Sequence, residues 1–136
     1  MIRQTIALSS LMSLAACAPM DSETRTDPAL AGPAVKVLGH AKGCINISQI
    51  RESRVRSDQV IDFEMRGRSI YRSVLPSACP RLGFERSFTY ETSINQLCKQ
   101  DIIYVLEQVA GNLRRGAGCG LGEFVPVEYV EEEAAD

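Results

Sequence analysis

Cys44, Cys79, Cys98 and Cys119 are the residues of this 136-residue chain whose type and spacing commit most clearly to a chemistry. A structural zinc site draws its ligands from closely spaced cysteine pairs, usually with histidine support. Here successive cysteines lie 35, 19 and 21 residues apart, and His40 is the single histidine. That spacing argues against a metal, and no cofactor motif takes its place. An even number of cysteines in a short chain reads as two disulfides, provided the chain folds in an oxidising compartment. Four cysteines allow three pairings. The preferred one is Cys79–Cys98, closing a medium loop, with Cys44–Cys119 joining the first and last strands of the domain.

Other reactive groups give less. Nucleophilic catalysis needs a serine or cysteine beside an oriented base. His40 stands between Gly39 and Gly43 as a solvated loop residue, and no G-x-S-x-G pattern occurs. Asp62 and Glu64, two residues apart on one strand, share a face. Glycosidases place two carboxyls across a cleft, whereas these read as the solvent face of a hairpin. Glu85 and Glu91 are weaker candidates still, and Asp101 beside Cys98 reads as a cap or turn residue. The run Gly116–Gly122 lacks the G-K-[ST] of a phosphate loop and is expected to be a flexible turn. No catalytic residue is assigned. Arg51, Arg54, Arg56, Arg66 and Arg68 make the first half basic, with Arg72 nearby and Arg114 and Arg115 later. They form a candidate anion-binding face, against ordinary solvated charge interleaved with Glu52, Asp58 and Glu64.

The elements that would carry these groups are short strands. Ile45 and Ile47 alternate with polar neighbours, as do Ile61, Phe63 and Met65, the period of a half-buried strand. Arg66-Gly67-Arg68 then turns the chain, and Ser69–Leu75 runs back as the second arm of a β-hairpin. Pro76 to Gly83 is a loop or single helical turn carrying Cys79. Phe84, Phe88 and Tyr90 fall on one face of a further strand. Thr92 to Lys99 is polar, with room for one short helical turn. Ile102–Leu106 is a buried strand, a helix over 101–110 being the alternative, and Leu121–Val127 is the last strand. The fold class expected is mainly β, a small antiparallel barrel or sandwich of about six strands with two disulfides and at most one short helix.

The N-terminus supplies the address. Arg3 precedes an apolar run from Ile6 to Leu14 that is too short to span a bilayer, the build of a secretory signal. Leu14-Ala15-Ala16-Cys17 resembles the lipobox of bacterial lipoproteins. The resemblance implies lipid on the Cys17 thiol and cleavage of the Ala16–Cys17 bond, with residues 1–16 removed. Two or more acyl chains anchor a protein stably, at roughly 0.8 kcal/mol per buried CH2. Ala18-Pro19-Met20 follows, without an aspartate after the cysteine, which by analogy favours the outer membrane facing the periplasm. Cys17 also makes the odd cysteine count even. Residues 17–43, with Pro19, Pro28, Gly32 and Pro33 among charged residues, read as a lipidated tether. Residues 44–127 form the domain, and 128–136 an acidic disordered tail. The processed chain carries fourteen basic residues against seventeen acidic, a balance that does not suggest nucleic acid as a partner.

The body resembles a family of small cysteine-containing bacterial lipoproteins known only as a domain of unknown function. The landmarks are Cys44-Ile45, Ser77-Ala78-Cys79-Pro80-Arg81-Leu82, Phe88-Thr89-Tyr90, Leu97-Cys98-Lys99-Gln100-Asp101 and Cys119-Gly120-Leu121-Gly122-Glu123-Phe124, over 44–127. The resemblance supports disulfides and carries no catalytic residues with it. The function expected is a non-enzymatic envelope lipoprotein that binds or supports another envelope protein or an anionic polymer. The rivals are an enzyme acting on envelope polymers and an accessory subunit that offers a strand edge.

Overall fold

A computed structural model describes residues 28–131. The proposed signal, the lipobox with Cys17 and the end of the acidic tail lie outside those residues. Ten strands and one α-helical turn follow in order, with 3-10 turns at Pro28–Leu30 and Ile47–Gln49: β1 (Val35–Val37), β2 (Cys44–Asn46), β3 (Ile50–Val55), β4 (Val60–Met65), β5 (Ile70–Val74), α1 (Leu82–Glu85), β6 (Phe88–Tyr90), β7 (Gln96–Cys98), β8 (Ile102–Val109), β9 (Asn112–Gly120) and β10 (Phe124–Tyr129). All pairings are antiparallel. The strands form a five-stranded sheet in the order β1-β10-β5-β4-β3, a three-stranded sheet β6-β8-β9 and a two-stranded pair β2-β7. The mainly β fold with two disulfides expected from the sequence is present.

The alternation in β4 sets the core. Ile61, Phe63 and Met65 point inward and meet Leu82, Leu97, Ile103, Val105 and Phe124 from the other elements. Phe63 is fully buried and takes Phe88 and Phe124 edge-on, with ring centroids 6.3 and 5.5 Å away. Edge-to-face rings add about 0.5–1.5 kcal/mol beyond area burial. The β4–β5 hairpin turns at Gly67 and Arg68, both at positive φ (91° and 72°).

The disulfides are Cys44–Cys98 and Cys79–Cys119, which corrects the preferred pairing. The polar stretch expected as a helical turn contains β7, and β2 pairs with it so that Cys44 faces Cys98 directly. Cys79 is then left to meet Cys119 on β9. The bridges span 54 and 40 residues, so each removes about 4 kcal/mol of unfolded-state freedom in the chain-entropy picture.

Other expectations also change. Phe84 belongs to α1 and is 78% exposed. The expected strand begins only at Phe88, because the chain turns at Arg81 and Arg86, both at positive φ. The glycine run is not a flexible turn; most of it lies in β9. A Cβ at Gly118 would strike the Tyr104 ring from the neighbouring strand, and one at Gly116 would strike Glu107. The glycines leave room for those side chains to lie across the strand, with Arg115 stacked 4.5 Å over Tyr104. The strand expected at Ile102–Leu106 is present and longer, running over Ile102–Val109, and the helical alternative is excluded. The five-stranded sheet also takes in residues on either side of 44–127: Val35 faces Tyr129 and Lys36 faces Glu128.

Candidate functional site

Asp62 and Glu64 do not form a solvent face. Both are buried, Asp62 completely. Strands β4, β5 and β10 direct Asp62, Arg72 and Tyr129 to the outer side of the large sheet, Arg56 joins them from just beyond the end of β3, and residues 28–34 cross over them. Arg72 donates from Nε to Asp62 Oδ1 (2.7 Å) and from Nη2 to Oδ2 (2.9 Å). Arg56 Nε (3.0 Å) and the Tyr129 hydroxyl (3.0 Å) also donate to Oδ2, and Arg56 Nη2 donates to that hydroxyl (2.8 Å). The crossing segment is tied down by Arg72 Nη1 on the Pro33 carbonyl (3.0 Å) and by the Ser57 hydroxyl on the Ala29 carbonyl. Gly32 packs against the Arg56 and Arg72 side chains.

This network sets the protonation of its members. Burial pushes the Asp62 carboxyl up, but the hydrogen bonds from Arg72 and Arg56 outweigh it and hold the group below the usual aspartate range. Burial also pushes Arg56 down, and its bonds to Tyr129 and Asp62 raise it overall. Tyr129 is raised, mainly by burial. Four donated hydrogen bonds keep Asp62 ionised and occupied, so it is a poor proton acceptor for any substrate.

The five candidate arginines are not brought together as one face. Arg51 and Arg54 embrace Glu64, at 2.6 Å to Oε2 and 3.0 Å to Oε1, and Arg54 also reaches Glu52 (3.1 Å). Arg56 belongs to Asp62. Arg66 and Arg68, on the β4–β5 turn, are exposed and have no carboxylate partner among the described residues. Arg68 lines a groove of about 560 Å³ with Leu38, Ser69, Ile70, Tyr71, Pro126, Val127, Glu128 and Tyr129. It also lines an adjoining one of about 260 Å³ with Arg51 and Glu64. The grooves exist because β10 runs on to Tyr129 while its pairing with β5 stops at Val127 and Ile70.

His40 is exposed in the connection after β1. Glu85 pairs with Arg81 (2.6 Å) and Glu91 with Arg115 (3.0 Å). Asp101 Oδ2 accepts the Cys98 N–H (2.7 Å), the turn role expected of it. Among the described residues no three His, Cys, Asp or Glu side chains converge as a metal site would need. The roles of Tyr129 and Arg72 escaped the sequence reading. A signal for Arg72 was there, since a hairpin centred on Gly67 puts Asp62 opposite Arg72. Nothing in the sequence marks Tyr129, which arrives from the far end of the chain. Comparison of the chain with protein-family models, with curated proteins and with solved structures returns no match.

Proposed function

We propose that this chain is a lipid-anchored cell-envelope protein, held through Cys17, whose β domain binds an anionic envelope component without catalysing a reaction. The lipobox resemblance and the two disulfides support the address. The observation that carries the binding half is Arg68. It is a non-glycine residue at φ 72° beside Gly67, a conformation costing roughly 1–2 kcal/mol. Arg68 lines both grooves and makes no ion pair among the described residues. Strain held at an exposed charge fits a residue kept for contact. An anionic polymer segment suits the groove, with Arg66 and Arg68 on its charges and Ile70, Tyr71 and Tyr129 under its apolar parts.

Two measurements test this. Incorporation of labelled palmitate into the full chain, lost in Cys17→Ser, tests the anchor. Co-sedimentation with isolated peptidoglycan sacculi tests the groove. Binding is expected to fall with salt and to be lost in Arg68→Glu. Binding unchanged by either overturns it. A second reading has one observation behind it: β9 is an outer strand of nine residues in the three-stranded sheet. An exposed strand edge can add a partner strand, which suits an accessory subunit of an envelope complex.

A further inference from the structure

We propose that the domain rests with one particular end in the interface of the lipid surface that anchors it: the end formed by α1, the β3–β4 turn and the tip of the β8–β9 hairpin. Phe84 and Leu113 then lie among the headgroups, and Arg86 and Arg114 lie on their phosphates. This rests on the anchored reading above.

Three contacts bring the parts of this end together. The Ser57 hydroxyl on the β3–β4 turn holds the Ala29 carbonyl. Asp58 on the same turn accepts the Gly83 N–H of α1 (2.7 Å). Glu85 of α1 lies 3.4 Å from the Gln108 N–H, and Gln108 faces Leu113 across the hairpin. The two most exposed large hydrophobic side chains among the described residues are here. Phe84 is 78% and Leu113 68% exposed, and Val109 is also exposed at the hairpin tip. Aromatic and aliphatic groups left in water at one end of a small domain mark a contact surface. The acids at this end are already engaged, Glu85 and Glu107 by Arg81 and Asp58 by Gly83. Arg86 and Arg114 are exposed and make no ion pair among the described residues, so their guanidinium groups are available to the phosphates of anionic headgroups.

The course of the chain picks out the same end. Residues 28–34 run along the outer face of the large sheet, from Ser57 to the start of β1, so the path back to Cys17 leaves from Ala29 beside α1. Ten residues, 18–27, separate the proposed anchor from Pro28, a reach of at most about 35 Å. The apolar end selects one orientation for the domain within that reach. It also directs the β4–β5 turn, with Arg66, Arg68 and the grooves, away from the lipid.

The chain contains no tryptophan, so a single one reports its own surroundings. The full lipidated protein is placed in vesicles of phosphatidylethanolamine and phosphatidylglycerol with brominated acyl chains, as Phe84→Trp and as Ile94→Trp. Ile94 is also exposed, in the loop beyond β6 at the opposite end of β8 from α1. Phe84→Trp emission should shift to the blue and be quenched by bromine, while Ile94→Trp emission should not change. Vesicle flotation separates the two claims. Floating protein whose two tryptophans behave alike overturns this orientation and leaves the anchor standing. Protein that does not float overturns the anchor and the orientation with it. Equal quenching after replacing phosphatidylglycerol by phosphatidylcholine overturns the part given to Arg86 and Arg114.

Discussion

Arg72 meets Asp62 side-on across β4 and β5, two N–H donors on two carboxylate oxygens at 2.7 and 2.9 Å, in direct register. Removing the acid takes the carboxylate from Arg72 and Arg56 together and leaves them only neutral acceptors, the Pro33 carbonyl and the Tyr129 hydroxyl. An unpartnered buried charge costs far more than the intact pair contributes. Asp62→Asn should therefore lose about 3 kcal/mol of unfolding free energy, read by urea titration with disulfides intact. Arg72→Met should lose less, because Arg56 and Tyr129 still satisfy the carboxylate. Equal losses would mean that Arg56 gives Asp62 no compensation.

The same pair fixes a pH dependence. The Asp62 pKa is lowered on folding, so the folded state binds this proton less readily than the unfolded chain. Its stabilisation is present above the unfolded aspartate value, near 3.8, and drains away as pH falls through the lower folded value. Wild type should lose stability across that acid window, and Asp62→Asn should show a flatter slope there. Matching slopes would remove Asp62 from the acid response.

Trypsin has cleavage sites between every pair of successive cysteines, so each bridge yields its own linked peptides. A non-reducing digest should give Cys44 with Cys98 and Cys79 with Cys119, and no other pair. Replacing either pair with serines should cost up to about 4 kcal/mol. The full loss is expected only if the unfolded chain keeps no structure around the loop.

What the sequence disclosed follows from the range of the interactions. The β4–β5 hairpin, with its alternating Ile61, Phe63 and Met65 and its glycine turn, is a local pattern and was legible. So was the number of bridges. The pairing of Cys44 with Cys98 depends on β7, whose Gln96-Leu97-Cys98 has no periodicity long enough to read. The burial of Asp62 was hidden for a different reason. It requires Arg56, Tyr129 and the crossing residues 28–34 to converge from three separate stretches, so an alternating strand with both faces covered looked half-solvated. The β9 glycines suggested a turn because the Tyr104 ring that fills their space lies on the other strand.

Gly122 and Gly120 separate room from flexibility. A Cβ at Gly122 would fall on the Val74 carbonyl, backbone that cannot step aside, while a Cβ at Gly120 meets nothing within 4 Å. Gly122 also exchanges two 3.0 Å hydrogen bonds with the buried Ser73 hydroxyl. Gly122→Ala should cost about 3 kcal/mol or prevent folding, and Gly120→Ala should stay within about 0.5 kcal/mol. Thermal unfolding of the two variants checks this; a tolerated Gly122→Ala would show that the β5–β10 approach can relax.

Phe63 and Phe84 set the core against the surface. Phe63 is fully buried between two rings, and truncation to alanine removes both edge contacts and leaves a cavity, a loss of about 3–5 kcal/mol. Phe84 projects into solvent from α1 and touches mainly the Arg81 guanidinium, 5.2 Å from its ring centre. Phe84→Ala should leave the urea midpoint of the protein in water within about 0.5 kcal/mol of wild type. A ring that costs nothing to remove in solution is free to serve a contact outside the fold. If Phe84→Ala instead unfolds the domain, the ring packs in the native state and its exposure to lipid is overturned.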